Sequence, residues 1–223
     1  MARIGLTLCV LALSAVPTSA QDPGRVFAGA LAGVSTLSAD ARAITQGSTV
    51  DISLYKPENG LAINLFAGYH LARFVSVQAN YMFNRNDLTL TSSFLTPEGG
   101  GYYEQARGSA QHAAVADVLL YFRRLGSGIR PYLGTGLCLV RFSSRDPGQA
   151  ASTHVVAPPG VISETSIALR SHVGIDMKLS RHVSFRYSFS ETIGRNPVSP
   201  RLTPPGERGL ANFQNLFGFV ATF

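Results

Sequence analysis

The chain has 223 residues, 45% of them hydrophobic and only 14% charged, with 22 glycines and a formal charge of +6. Soluble domains usually carry about 25% charged residues, disordered chains lack the apolar and aromatic residues that recur throughout this one, and beyond residue 20 no run nears the ~18 apolar residues of a membrane helix. What remains is a glycine-rich β-type chain, unusual for a cytosolic enzyme and suited to a barrel facing lipid.

Residues 1–20 read as a secretory signal. Arg3 supplies the positive start, 4–16 the short apolar stretch, and Pro17, Thr18, Ser19 and Ala20 the small-residue cleavage site before Gln21. Cys9 lies within the apolar stretch and follows Leu8, which disfavours a lipoprotein. Removal of this segment takes Arg3 and no acid, so the formal charge falls from +6 to +5 and Cys138 is left as a single cysteine. It forms no internal disulfide and reads as a small apolar filler. The arginines are unclustered and the chain is exported, so no nucleic-acid partner is expected. The positive charge suits turns and anionic headgroups.

From residue 21 to 223 the chain divides into eight β-type segments: 26–36, 60–70, 74–84, 111–122, 130–141, 165–178, 182–193 and 211–223. Each approximates the ~9–11 residues of a tilted transmembrane strand. The first segment alternates weakly. The second places Leu61, Ile63, Leu65 and Tyr69 on one face. The third sets Val75, Val77, Ala79, Tyr81 and Phe83 against Ser76, Gln78, Asn80, Met82 and Asn84. The fourth and fifth, rich in Gly, Ala and Leu, leave their facing open. The sixth opposes Ile167, Leu169, Val173, Ile175 and Met177 to Arg170, His172, Asp176 and Lys178. The seventh opposes Val183, Phe185, Tyr187, Phe189 and Ile193 to Ser184, Arg186, Ser188, Ser190 and Thr192, and the eighth Phe213, Phe217, Phe219, Ala221 and Phe223 to Asn212, Gln214 and Thr222.

The gaps 37–59, 71–73, 85–110, 123–129, 142–164, 179–181 and 194–210 alternate long and short, beginning long. An up-and-down membrane barrel has long external loops and short periplasmic turns, so both termini are expected in the periplasm. In such a barrel the apolar faces meet lipid, with aromatic residues at the interfaces (here Tyr69, Tyr81, Phe83 and Phe223), and the polar faces meet the lumen. The expected lumen network is Asn64, Gln78, Asn80, Asp117, Arg170, His172, Asp176, Lys178, Arg186 and Gln214. Strand parity around a turn at 180–182 places Asp176 opposite Arg186. An ion pair is expected there, with Lys178 or Arg170 nearby.

These features together resemble the OmpA/OmpX-like family of eight-stranded outer-membrane barrels. The final strand ends in the terminal aromatic Phe223, similar to the family's assembly signal, although Asn215 departs from its apolar alternation. The stretch Arg130, Pro131, Tyr132, Leu133, Gly134, Thr135, Gly136 and Leu137 is also similar to a strand common in the family. The resemblance implies an all-β, eight-stranded antiparallel up-and-down transmembrane barrel in the cell outer membrane. It further implies partnership with outer-membrane lipid and with the barrel-assembly machinery through the C-terminal strand. Larger members add a peptidoglycan-binding domain, which no part of this sequence resembles.

Eight strands leave a lumen just wide enough for side chains to fill. A monomeric, structural or surface-interacting barrel with a plugged lumen is therefore the expected function, and a narrow ion or small-solute pore is the alternative. An external partner would meet the long loops, where Tyr102 and Tyr103 follow a glycine run. No cofactor, metal or catalytic residue is expected. His182, Val183 and Ser184 match the bare His-x-Ser spacing of lipid A deacylases, but they fall at a short turn and Ser184 faces the lumen. Ser190 and Glu191 alternate faces with no histidine adjacent in sequence, and His70, His112 and His154 are isolated. A soluble lipocalin-like barrel would reverse the faces; the loop alternation and Phe223 argue against it.

Overall fold

The computed structural model describes residues 25–145, 150–155 and 158–223. The expected signal segment lies outside them.

The described residues form β1 (Val26–Leu37), β2 (Asp40–Gln46), β3 (Thr49–Pro57), β4 (Gly60–His70), β5 (Val75–Thr96), β6 (Gly99–Tyr121), β7 (Ile129–Arg145), β8 (Ala150–Thr153), β9 (Val161–Lys178), β10 (Val183–Arg195) and β11 (Gly209–Thr222). Eight of them, β1, β4, β5, β6, β7, β9, β10 and β11, pair antiparallel in a closed ring. Pairing of β1 with β11 and of β5 with β6 completes the closure, so every ring strand finds two partners. The eight predicted segments coincide with these strands. Their connections at the short-turn end hold few residues, and the backbone N–H of Leu179 donates to the Val183 carbonyl there at 2.9 Å.

The long gaps differ from the sequence expectation. Among the described residues, 37–59, 85–110 and 142–164 are largely strand, not irregular loop, whereas 194–210 is mostly irregular. β5 and β6 run 22 and 23 residues, about twice what a bilayer requires, and meet at a tight turn. β3 pairs with the upper part of β5, β2 with β3, and β8 with β6. The period-two pattern explains this: Leu88 and Leu90 stay inward while Thr89 and Thr91 alternate with them, so nothing ends the strand at the membrane boundary. Tyr102 and Tyr103 accordingly lie within β6. Tyr103 is fully buried and Tyr102 faces out.

Leu37, Tyr55, Leu88, Leu90, Tyr103, Phe142, Ile162, Val198, Leu202 and Leu210 form an apolar core at the long-loop end. Val198 and Leu202 come from the segment between β10 and β11, which contains one turn of 3-10 helix, Ser199–Arg201. Asn196 Oδ1 accepts from the backbone N–H groups of Val198 and Ser199, both at 3.0 Å, and holds that turn. Ser53 Oγ donates to the Pro204 carbonyl at 2.6 Å, tying the segment to β3. The result is a folded cap over one end of the ring.

Burial settles the facing that the weak alternation left open. β1 and β6 turn their odd-numbered residues inward, whereas β4, β5, β7, β9, β10 and β11 turn their even-numbered residues inward. The outward face is apolar over the segment nearest the short turns. Its polar limit falls near Arg85, His112 and Arg141, which all face out on adjacent strands. Cross-strand aromatics line this face of β10 and β11, including Tyr187 with Phe217 at 4.9 Å and Phe185 with Phe219 at 5.8 Å between ring centroids. Asn215 also faces outward. There it accepts from Tyr187 Oη at 3.1 Å, so the one polar interruption of the strand has a partner.

Candidate functional site

The interior carries the polar side chains that alternation turns inward. Asp176 and Arg186 are register partners on β9 and β10. Arg186 Nε donates to Asp176 Oδ1 at 2.5 Å and its Nη2 to Oδ2 at 2.7 Å. Two further donors are used: Nη2 reaches Tyr121 Oη at 2.8 Å and Nη1 reaches Gln78 Oε1 at 2.9 Å. Gln78 Nε2 then donates to Asn80 Oδ1 at 2.6 Å, and Asn80 Nδ2 to Asp117 Oδ2 at 2.9 Å. Arg170 Nη1 donates to that same oxygen at 2.7 Å. One connected chain of side chains thus runs from Asp176 on β9 through Arg186 across the lumen to Gln78 and Asn80 on β5, and back through Asp117 on β6 to Arg170 on β9.

Arg170 serves Asp117, on β6, while Arg186 takes both oxygens of Asp176 and the Tyr121 hydroxyl also donates to Oδ2 at 3.1 Å. Lys178 departs from the expectation. It is the last inward position of β9, where the ring opens, and it stands exposed at the short-turn mouth instead of inside the lumen. His172 Nε2 lies 3.4 Å from Asp117 Oδ2. Asn64 Nδ2 reaches Asn80 at 3.3 Å. Gln214 belongs to a separate layer nearer the cap, donating to Asn84 Oδ1 at 2.7 Å and accepting from Ser190 Oγ at 3.1 Å.

Several interior residues carry no polar signal in sequence. Phe27, Leu31, Phe66, Tyr121, Tyr132, Leu216 and Val220 fill the lumen beside Arg186. The Arg186 guanidinium lies 4.9 Å from the ring centroids of both Phe66 and Tyr132, close enough for cation–π attraction in a dry site. Arg130 stacks 3.8 Å over Tyr121. The parity of β1 and β7 would have found Phe27 and Arg130, but inward glycines (Gly29 and Gly33 in β1, Gly134 and Gly136 in β7) weakened the alternation that shows it. Glycines make the room: a Cβ on Gly134 would run into the His172 ring, and one on Gly136 into the Asp117 carboxylate.

The arrangement offers little for catalysis. Ser190 is the register partner of His172, and Asp117 is adjacent to that histidine. However, the Ser190 hydroxyl donates to Gln214, and all three residues are buried in the filled lumen. His182 and Ser184 sit at the short-turn end, where His182 Nδ1 is 3.3 Å from the Thr222 carbonyl. His112 faces out and bonds Tyr81 Oη at 2.7 Å, and His70 bonds Ser76 Oγ at 2.6 Å inside the ring. Cys138 is buried. Among the described residues, no three His, Cys, Asp or Glu side chains gather as a metal site.

Beside this closed ring of eight antiparallel strands, apolar outside and polar inside, the chain matches a family model described as an outer membrane protein beta-barrel domain over residues 6–213. The chain belongs to this family. It is therefore an outer-membrane β-barrel protein, and the soluble-barrel alternative falls. The fold is similar to that of Neisserial surface protein A, with a TM-score of 0.51 at 15% identity over 89% of this chain and 97% of that one. The N-terminal barrel domain of Pseudomonas aeruginosa OprF (TM-score 0.44, 10% identity, 91% and 100% covered) is also similar. So is the attachment invasion locus protein Ail of Yersinia pestis (0.43, 10%, 89% and 99%). No curated protein sequence matches the chain.

Proposed function

We propose that this barrel is a non-conducting, monomeric scaffold of the outer membrane that acts at the cell surface through its long-loop end. The observation that carries the reading is the side-chain chain from Asp176 through Arg186, Gln78, Asn80 and Asp117 to Arg170, which spans the lumen between strands on opposite parts of the ring. Buried charges that are paired and hydrogen-bonded are costly to break. Ion passage would require opening them, with aromatic rings on one side and the apolar cap on the other. The nine expected lumen side chains other than Lys178, from Asn64 to Gln214, serve in this reading as filling and cross-bracing. Lys178 marks the mouth.

The family's strand pattern supports an orientation with the extended hairpins outside and the short turns in the periplasm. The cap then presents a folded surface to any external partner, and Phe223 ends the strand offered to the assembly machinery. Catalysis has no place in this reading, because the buried serine, histidine and aspartate have no route to substrate.

Liposomes carrying the refolded barrel should swell no faster in small sugars than empty ones. On intact cells, a membrane-impermeant maleimide should label Ser48→Cys in the turn between β2 and β3 and spare Arg124→Cys in a short turn; the buried Cys138 gives little background. Rapid swelling, or the reverse labelling, would overturn the reading.

A further inference from the structure

The short-turn end of the lumen opens into a cavity of about 190 Å³. A water's share of liquid volume is roughly 30 Å³, so the space holds more than an isolated water. Its wall includes Arg130, Lys178, Arg181, Arg186, Asp176 and Ser184. Four cationic side chains therefore face one carboxylate.

The charges do not balance locally. Asp176 is the register partner of both Arg130, on β7, and Arg186, on β10. Both carboxylate oxygens are taken by Arg186. Arg130 is left with its guanidinium on the Tyr121 ring, only 7% exposed. Its Nε and Nη2 are buried and have no hydrogen-bond partner among the described residues. A buried guanidinium without an acceptor is strongly disfavoured. Both donors are closed to a water-sized probe while the guanidinium lies on the Tyr121 ring, so Arg130 meets an acceptor by swinging off that ring into the cavity, where water would satisfy its donors but not its charge. An oxyanion would do both, and a planar guanidinium fork suits phosphate oxygens in pairs. Lys178 and Arg181, exposed at the rim, add the point charges that hold a dianion.

We propose that this mouth is a binding site for a phosphate group, anchored on Arg130 and closed by Lys178 and Arg181. Free phosphate and a phospholipid headgroup at the rim share this chemistry. The site lies on the periplasmic side if the orientation proposed above holds. Binding is read separately from conduction and labelling, so the two readings fail independently.

The test titrates inorganic phosphate into the refolded protein in a phosphate-free maltoside detergent, at constant ionic strength, by calorimetry and phosphorus NMR line width. A second arm titrates short-chain phosphatidylglycerol. Saturable binding is expected, weakened on the order of tenfold by Lys178→Gln and more by Arg130→Gln. Arg141→Gln, on the outer face, should leave it unchanged. If Arg130→Gln fails to fold, Lys178→Gln and Arg181→Gln carry the test, since both side chains are exposed. Binding of phosphate in the first arm identifies a free anion; binding only in the second, with the same dependence on Lys178, identifies a headgroup. No saturation in either arm at millimolar concentration, or affinity indifferent to these substitutions, would overturn the proposal.

Discussion

Asp176 on β9 and Arg186 on β10 face each other across one rung of the sheet and bond through both carboxylate oxygens, at 2.5 and 2.7 Å. The pair sits inside a ring whose outer surface meets lipid, and the guanidinium also holds Gln78 and Tyr121. Removing one partner leaves the other charge buried. Asp176→Asn should therefore destabilise the refolded barrel by about 3–5 kcal/mol in urea unfolding. The double substitution Asp176→Leu with Arg186→Met should recover most of that loss. Additive losses in the double variant would show that the two residues do not act as a pair.

The lumen is packed tightly enough that one methyl group matters. Gly134→Ala would push its Cβ into the His172 imidazole, which is itself held between Asp117 and Tyr132. Overpacking of this kind costs about 1–3 kcal/mol. The unfolding midpoint in urea should fall accordingly. An unchanged midpoint would mean that the interior is looser than the side-chain contacts indicate.

Leu137 and Leu95 are about equally exposed on the protein surface, at 63% and 65%. Their surroundings differ. Leu137 lies within the apolar band, and Leu95 near the tip of the β5 extension, where it pairs with Val50. Leu137→Arg should cost about 2–4 kcal/mol in a bilayer, whereas Leu95→Arg should cost nearly nothing. Equal effects on stability in liposomes would contradict the assignment of the lipid boundary.

Tyr55 in the cap has a buried hydroxyl with no hydrogen-bond partner among the described residues. Burial raises the pKa of this phenol, so it stays neutral, and its unsatisfied O–H is a standing cost. Tyr55→Phe should stabilise the cap by about 1 kcal/mol. Slower proteolysis of the long-loop end would register the gain, and faster proteolysis would refute it.

The ring was legible in the sequence because lipid and lumen impose opposite chemistry on alternate residues. Val183, Phe185, Tyr187 and Phe189 against Arg186, Ser188 and Ser190 fix the two faces of that strand, and the loop alternation says which one meets lipid. The same parity arithmetic located the Asp176–Arg186 rung from a turn length alone. The cap was not legible, because its strands lie in water and alternate Thr with Leu, a pattern that Pro and Gly nearby disguise as loop. Tyr55 and Tyr103 became core residues only through β3 and the extension of β6, which no membrane thickness demanded. Inside the lumen, Phe27, Phe66 and Tyr132 escaped for a related reason. An expectation of polar residues inward has no place for rings, yet a ring over Arg186 satisfies a guanidinium as a polar neighbour would.

If the connected side chains from Asp176 to Arg170 close the lumen, single-channel recording of the refolded wild-type barrel in a planar bilayer gives a silent baseline at both voltage polarities. Steady, reproducible conductance steps from the wild-type protein would contradict it.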